Sequence, residues 1–288
     1  MQSKNIKWYL LILLACIWGS SFILMKRGLE GLTAFQMGSL RIIFCAVFLL
    51  IFGFNSLKKI PLGKWRYIAA TAFTGTFMPV YLFSIAQTEI NSSVSAILNS
   101  LVPLNTLVIG AIVFGLQFQR RQYFGVIIGL AGSILLVYNG ALNNPGQNYY
   151  FALFVVMATV CYATNVNLIK KYLSDISPLA ITVGNFTVML IPALIVLFCT
   201  NFTDVVVTPQ AQTAMMYIAV LGILGTGIAN IIFFRLIHMS SPVFASSVTY
   251  LIPIVACIWG LLDNESLSLT QGLGALIILV GVYFSARR

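Results

Sequence analysis

Apolar residues fall along this chain in ten long runs, at 8–26, 33–54, 65–87, 92–115, 122–139, 149–170, 178–200, 212–237, 242–262 and 270–286, with short polar connections between them. Each run is near the roughly 20 residues that a helix needs to cross a bilayer core. A backbone facing lipid must satisfy its own hydrogen bonds, so the pattern predicts ten transmembrane helices and an all-α fold. The connections are too short to hold a soluble domain.

The second five runs repeat the first five. At a shift of 150 positions, Gly75-Thr76 falls on Gly225-Thr226, Phe83 on Phe233 and Pro103 on Pro253. Gly125 and Gly132 match Gly274 and Gly281 one residue out of phase, and Lys26 matches Lys170 at a shift of 144. The chain therefore divides into a first repeat, 1–140, and a second, 141–288. Five spans per repeat is an odd number, so the second copy is expected upside down in the bilayer. Such inverted pairs build one central site with two alternating gates.

Composition agrees. Hydrophobic residues make up 60% of the 288 residues and charged residues 8%, and the mean hydropathy is +0.99. A soluble domain of this length needs far more charge to cover its surface. The net charge of +10 is scattered over short connections rather than gathered into a patch, which argues against nucleic acid. With the N-terminus in the cytoplasm, Lys4, Lys7, Lys58, Lys59, Lys64, Arg66, Arg120, Arg121, Lys170, Lys171, Arg235, Arg287 and Arg288 all fall inside. Only Lys26 and Arg27 fall outside, and five of the six acids (Glu30, Glu89, Asp204, Asp263 and Glu265) join them; Asp175 alone is inside. This is the positive-inside pattern with both termini cytoplasmic. Removing one span would reverse every later loop and destroy it. The apolar run after Lys4 and Lys7 is too long for a signal peptide and is matched in the second repeat, so it is the first span. The five cysteines (16, 45, 161, 199 and 257) lie in or at the ends of spans, without metal-ligand spacing, and read as small buried thiols.

The polar residues inside spans are few. Pro103 and Pro253 sit mid-span, where proline lacks an N–H and frees the carbonyl four residues back, at Asn99 and Thr249. Each is a hinge or gate candidate; the alternative is a packing kink. Ser92, Ser95, Asn99 and Thr106 share a face of span four, and Ser246, Thr249 and Tyr250 mark span nine. The serines suit helix–helix glue, whereas Asn99 and Tyr250 lean towards a cavity. Trp18, in Trp18-Gly19-Ser20-Ser21-Phe22, is too deep for an interfacial belt residue; Tyr162 stands at the paired position, followed by Asn165 and Asn167. With Tyr81 and Asn230 they outline a substrate cavity that is apolar and aromatic with a few polar contacts. The substrate-binding candidates are thus Trp18, Tyr81, Asn99, Tyr162, Asn165, Asn230 and Tyr250.

Arg41 is the one clearly intramembrane charge. A charge there costs at least about 2.5 kcal/mol. It either binds a substrate carboxylate or phosphate or bonds carbonyls at a helix end, with Gln36 nearby. No acid lies mid-span, and the single histidine, His238, is at an inner end. A proton relay usually needs such an acid, so a carrier driven by the substrate gradient fits better. The glycines at 125, 129 and 132 and at 272, 274 and 281 make smooth faces that pack helices closely, within one bundle or against a second protomer.

These motifs together resemble the EamA family of the drug/metabolite transporter superfamily. The resemblance rests on Trp18-Gly19-Ser20-Ser21-Phe22, Leu40-Arg41, the two Gly-Thr pairs, the two proline-bearing spans and the ending Gly274 to Gly281. It implies ten helices in two inverted repeats around a central cavity, with spans five and ten at the periphery. It also implies movement of amino acids and other small metabolites across a bacterial inner membrane. Glu265 precedes the last span, as the resemblance leads one to expect, but Gln117-Phe118-Gln119 stands at the matching place in the first repeat. Small multidrug exporters of the superfamily use an acid in their first span; Trp8 to Met25 holds none, which argues against antiport of cationic drugs.

The reading that follows is a plasma-membrane exporter of amino acids with large apolar or aromatic side chains, working by alternating access. It takes a small-molecule substrate, sits in the lipid bilayer without nucleic acid or cofactor, and is a monomer or homodimer. A carrier of another metabolite and a sensor or scaffold with a transporter fold stand as alternatives. A membrane enzyme would need paired acids, a Ser–His pair or metal ligands within the spans, and these are missing.

Overall fold

The computed structural model describes residues 2–90, 95, 98–142, 149–262 and 269–286. Ser92, Asp263 and Glu265 lie outside that set. Among the described residues the chain is helical apart from short connections. Six helical stretches are long and apolar enough to cross a membrane, Asn5–Leu29, Ala34–Lys59, Leu62–Ala86, Ala152–Tyr172, Pro178–Phe198 and Pro209–Met239. Shorter apolar helices at Val102–Ile112 and Pro242–Val255 accompany them.

Helix α1 (Gln2–Leu29) is continuous, and α2 (Ala34–Gly53) begins at a capping box. The Thr33 hydroxyl accepts from the Gln36 N–H, and the Gln36 side chain accepts from the Thr33 N–H. Gln36 also donates to the Thr200 carbonyl at 3.0 Å, so it is spent on a helix end and not on Arg41. Next come α3 (Trp65–Ala72), a π-helical turn at Phe73–Phe77, and α4 (Met78–Ala86). The same three-part construction recurs in the second half, after α5 (Val102–Ile112), α6 (Arg120–Leu142), α7 (Ala152–Tyr172), α8 (Pro178–Phe198) and the short α9 (Phe202–Val205). There α10 (Pro209–Val220) leads through a π-helical turn at Leu221–Ile228 into α11 (Ala229–Met239). The chain closes with α12 (Pro242–Ser246), α13 (Val248–Leu262) and α14 (Leu269–Ala286).

The two prolines differ in setting. Pro253 lies inside α13, whereas Pro103 sits in the first turn of α5, after a break at Ser100-Leu101. At that position the missing N–H costs nothing. A third proline, Pro192, lies inside α8 and was not anticipated.

Packing follows the repeat. Helix α1 lies on α13, as α5 lies on α7, and α2 pairs with α8. The most extensive contact joins α6 to α14. A Cβ on Gly132 would stand 2.8 Å from the Ile278 backbone nitrogen, and one on Gly281 would meet the backbone of Gly125 and Gly129. The glycine faces expected from the sequence thus close on each other within one chain. In lipid such close approach supplies the dispersion contacts that hold helices together.

Connections far apart in sequence meet at one end of the bundle. Lys64 donates to the Tyr172 carbonyl and pairs with Asp175 at 2.9 Å. Lys170 donates to the carbonyls of Ile237, His238 and Ser240, and Lys171 to that of Phe114. The flanks of the bundle are strongly apolar: Ile51, Phe52, Ile112 and Phe198 are each at least 70% exposed. Water would not tolerate so broad an apolar surface; lipid does. Of the cysteines, Cys45 is buried but Cys16 and Cys199 are exposed, so those two face the bundle's surroundings rather than its core.

Candidate substrate cavity

A cavity opens in the middle of the bundle, lined by residues of α1, α2, both π-helical turns, α4, α5, α7, α11, α12 and α13 and by Asn99. Its empty space, open mouth included, is about 930 Å³. Six of the residues singled out in the sequence meet here: Trp18, Arg41, Asn99, Tyr162, Asn165 and Asn230. Two do not. The Tyr81 hydroxyl bonds Ser39 at 2.7 Å while its ring covers Gly38. The Tyr250 hydroxyl donates to the Val126 carbonyl at 2.9 Å and its ring rests on Gly129, tying α13 to α6. Both tyrosines are buried in helix packing, away from the cavity. Pro103 and Pro253 are not among the lining residues; Val102 and Ile252 beside them are.

The aromatic wall has the symmetry of the sequence repeat. Trp18 meets Phe233 edge-on with ring centroids 5.0 Å apart, and Tyr162 meets Phe83 at 6.0 Å. Phe83 and Phe233 were visible in the sequence only as repeat markers. So were Thr76 and Thr226, which sit in the two π-helical turns and also line the cavity.

A π-helical turn shifts hydrogen bonding by one residue and is a frequent feature of functional sites. Here each turn is approached by a helix of the other half. Trp18 Nε1 donates to the Gly225 carbonyl at 3.0 Å. Arg41 Nε donates to Thr226 Oγ1 at 2.7 Å, and that hydroxyl in turn donates to the Leu221 carbonyl five residues back. Opposite, the Asn165 side chain lies so close to Gly75 that a Cβ there would overlap it. Glycine is required at 75 for that approach.

The polar groups of the cavity fall into two sets. Ser21 and Ser246 donate to carbonyls of their own helices, and Thr249 to the Ser246 carbonyl at the end of α12. Thr76 Oγ1, Asn99 Oδ1 and Asn165 Oδ1 are buried and have no hydrogen-bond partner. Buried polar atoms are almost always paired, so three orphans around one cavity are a strong local anomaly. Arg41 is likewise under-used. Beyond the bond to Thr226, its Nη1 lies 4.0 Å from the Met25 sulfur. Among the described residues the ion pairs are Arg27–Glu30 and Lys64–Asp175, and none of the described acids pairs with the guanidinium. Among the described residues no group of three His, Cys, Asp or Glu side chains is placed to hold a metal ion.

A lipid-faced helical bundle whose cavity is lined from both halves of the chain has the architecture of a membrane carrier. The model of the EamA-like transporter family matches residues 6–138 and again 150–287, and the chain belongs to that family. It is 25% identical over 278 residues to the uncharacterized inner membrane transporter YedA of Escherichia coli (strain K12), covering 94% of this chain and 88% of that protein. It is 24% identical over 290 residues to a probable amino-acid metabolite efflux pump of Salmonella typhimurium (strain LT2), covering 96% and 93%. A solved crystal structure superposes with a TM-score of 0.73 at 15% identity, over 100% of this chain and 99% of that one; this likeness concerns the fold alone. The chain is a multi-pass transporter of the plasma membrane and not an enzyme.

Proposed function

We propose that this transporter exports amino acids with large apolar or aromatic side chains by alternating access. The observation that carries the reading is the cavity itself: aromatic walls from both halves surround a handful of polar groups at mid-bundle, with Arg41 among them. The similarity to a probable amino-acid metabolite efflux pump supports the cargo class. The matched construction around the two π-helical turns, and the double match of the family model, support two inverted five-helix repeats, 1–140 and 141–288. In that arrangement ten helices cross the bilayer with both termini cytoplasmic, and the lysine-rich end of the bundle is the inner one. Trp18, Asn99, Tyr162, Asn165 and Asn230 contact the cargo. The break before Pro103 and the in-helix Pro253 act as hinges beside it. No mid-span acid is available to relay protons, so the substrate gradient drives transport.

The test is counterflow of labelled leucine, phenylalanine, tyrosine and tryptophan in liposomes holding the purified full-length protein. Flux that Asn99→Ala removes, and that collapsing a pH gradient leaves unchanged, supports the reading. Absence of flux for all four overturns the assigned cargo class.

A further inference from the structure

The two π-helical turns are the same device with opposite chemistry. In the second half, Thr226 holds Arg41, whose remaining N–H groups face a cavity with no acid among its described lining residues. In the first half, the Thr76 hydroxyl oxygen and the amide oxygens of Asn99 and Asn165, three residues lining the same cavity, are orphaned acceptors. Thr76, Asn99 and Asn165 are 2%, 6% and 3% exposed, so bulk water does not satisfy them.

Resting on the amino-acid reading above, we propose that the cavity binds its cargo in one polarity. The carboxylate lies on Arg41 beside the Gly225-Thr226 turn, and the ammonium lies on Thr76, Asn99 and Asn165 beside the Gly75-Thr76 turn. A guanidinium presents a rigid fork that fits a carboxylate. With Nε committed to Thr226, the Nη groups remain for the cargo. Arg41 carries one positive charge, which one carboxylate balances; a dianionic phosphate would leave a charge uncompensated in a low-dielectric site. At the other end, an ammonium has three N–H donors and no acceptor, the complement of three unpaired oxygens. The three oxygens have no internal partner to give up, and Arg41 Nη1 gives up only its long contact with the Met25 sulfur at 4.0 Å. The side chain of the cargo is then left to the Trp18–Phe233 and Tyr162–Phe83 pairs.

The polarity predicts a double dissociation. The full-length protein is reconstituted, and labelled phenylalanine counterflow is inhibited with 3-phenylpropanoate, which lacks the amine, or with 2-phenylethylamine, which lacks the carboxylate. Binding of the same three compounds is followed separately by the thermal shift they cause in the detergent-solubilised protein. Arg41→Gln is expected to weaken phenylalanine and 3-phenylpropanoate by about tenfold or more, the worth of one charge-assisted hydrogen bond, while 2-phenylethylamine is unaffected. Thr76→Val and Asn99→Leu are expected to weaken phenylalanine and 2-phenylethylamine and to spare 3-phenylpropanoate. Arg41→Lys keeps the charge without the fork and should fall between wild type and Arg41→Gln; Thr226→Val frees the guanidinium and should weaken phenylalanine and 3-phenylpropanoate while sparing 2-phenylethylamine. These two conservative variants carry the test if Arg41→Gln does not fold. Equal weakening of all three compounds by variants at both ends, or the reverse pattern, overturns the polarity. Phenylalanine flux without the dissociation sinks the polarity and leaves the amino-acid reading standing. The dissociation in binding without flux does the opposite.

Discussion

Replacing Gly281 by alanine tests the seam between α6 and α14. A methyl at that position would lie 2.6 Å from Gly129 Cα and 2.8 Å from the Gly125 carbonyl oxygen, and closer still to the Gly129 nitrogen. All three are backbone atoms, so no side-chain rotation relieves the clash and the helices must part. A gap of about 1 Å forfeits up to half of the dispersion well at each contact it opens. Ile278 and Val282 are buried on the same helix and would lose contacts too. Overpacking of a tight interior costs about 1–3 kcal/mol; with backbone on the opposite side, Gly281→Ala is expected near ~2 kcal/mol and Gly281→Val above it. For a chain of this length that amounts to a fall in Tm of about 4–8 °C, read by thermal unfolding of the purified protein. None of the cavity-lining residues comes from α6 or α14, so substrate KM should not move. A Gly281→Ala protein with wild-type Tm would refute the seam as described.

Tyr250→Phe removes a buried bond to the Val126 carbonyl and is expected to cost about 0.5–1.5 kcal/mol with KM unchanged; a large rise in KM would place Tyr250 at the substrate after all. Gly75→Ala forces the Asn165 amide aside, and counterflow should show KM up by about tenfold; an unchanged KM would mean that Asn165 does not touch cargo. Lys64 holds the Asp175 carboxyl below its ordinary value, so the ion pair stabilises the fold above the unfolded carboxylate pKa near ~4 and is lost as pH falls through the lower folded value. Since both partners are partly exposed, the effect is at most about 1 kcal/mol: Asp175→Asn should lower Tm slightly at pH 7 and not at pH 2, and a difference that persists at pH 2 would assign it to something other than charge.

Most of the cavity was legible from one rule: a polar or charged residue inside an apolar span must turn away from lipid. That rule finds Arg41, Asn99, Asn165 and Asn230, and the depth of Trp18 and its repeat partner Tyr162 adds the aromatic wall. It cannot separate a tyrosine facing a cavity from one covering a glycine on the next helix. Tyr81 over Gly38 and Tyr250 over Gly129 depend on which helices are neighbours, and no periodicity within one span encodes that. The π-helical turns were equally hidden. Gly-Thr pairs occur in ordinary helices, and only the coincidence of two pairs at a fixed spacing marked them. Arg41 was read either as an anion contact or as a helix-end anchor with Gln36; the capping box at Thr33 takes Gln36 out of that second reading.

The two π-helical turns also act as phase shifters. In a regular α-helix each residue advances about 100° around the axis, and a π-helical turn accommodates one residue more than that geometry allows. Everything after it in the same helix therefore presents a different face. Asn230 and Phe233 follow one turn, and Val80 and Phe83 follow the other. Rewinding 221–228 as regular α-helix with no residue removed would turn 229–239 by about 100°, carrying Asn230 and Phe233 out of the cavity and other residues into it, whereas deleting one residue within the turn would absorb the extra residue and keep the same face inward. A carrier built this way can exchange one wall of its binding site by rewinding a single turn, with no side chain substituted.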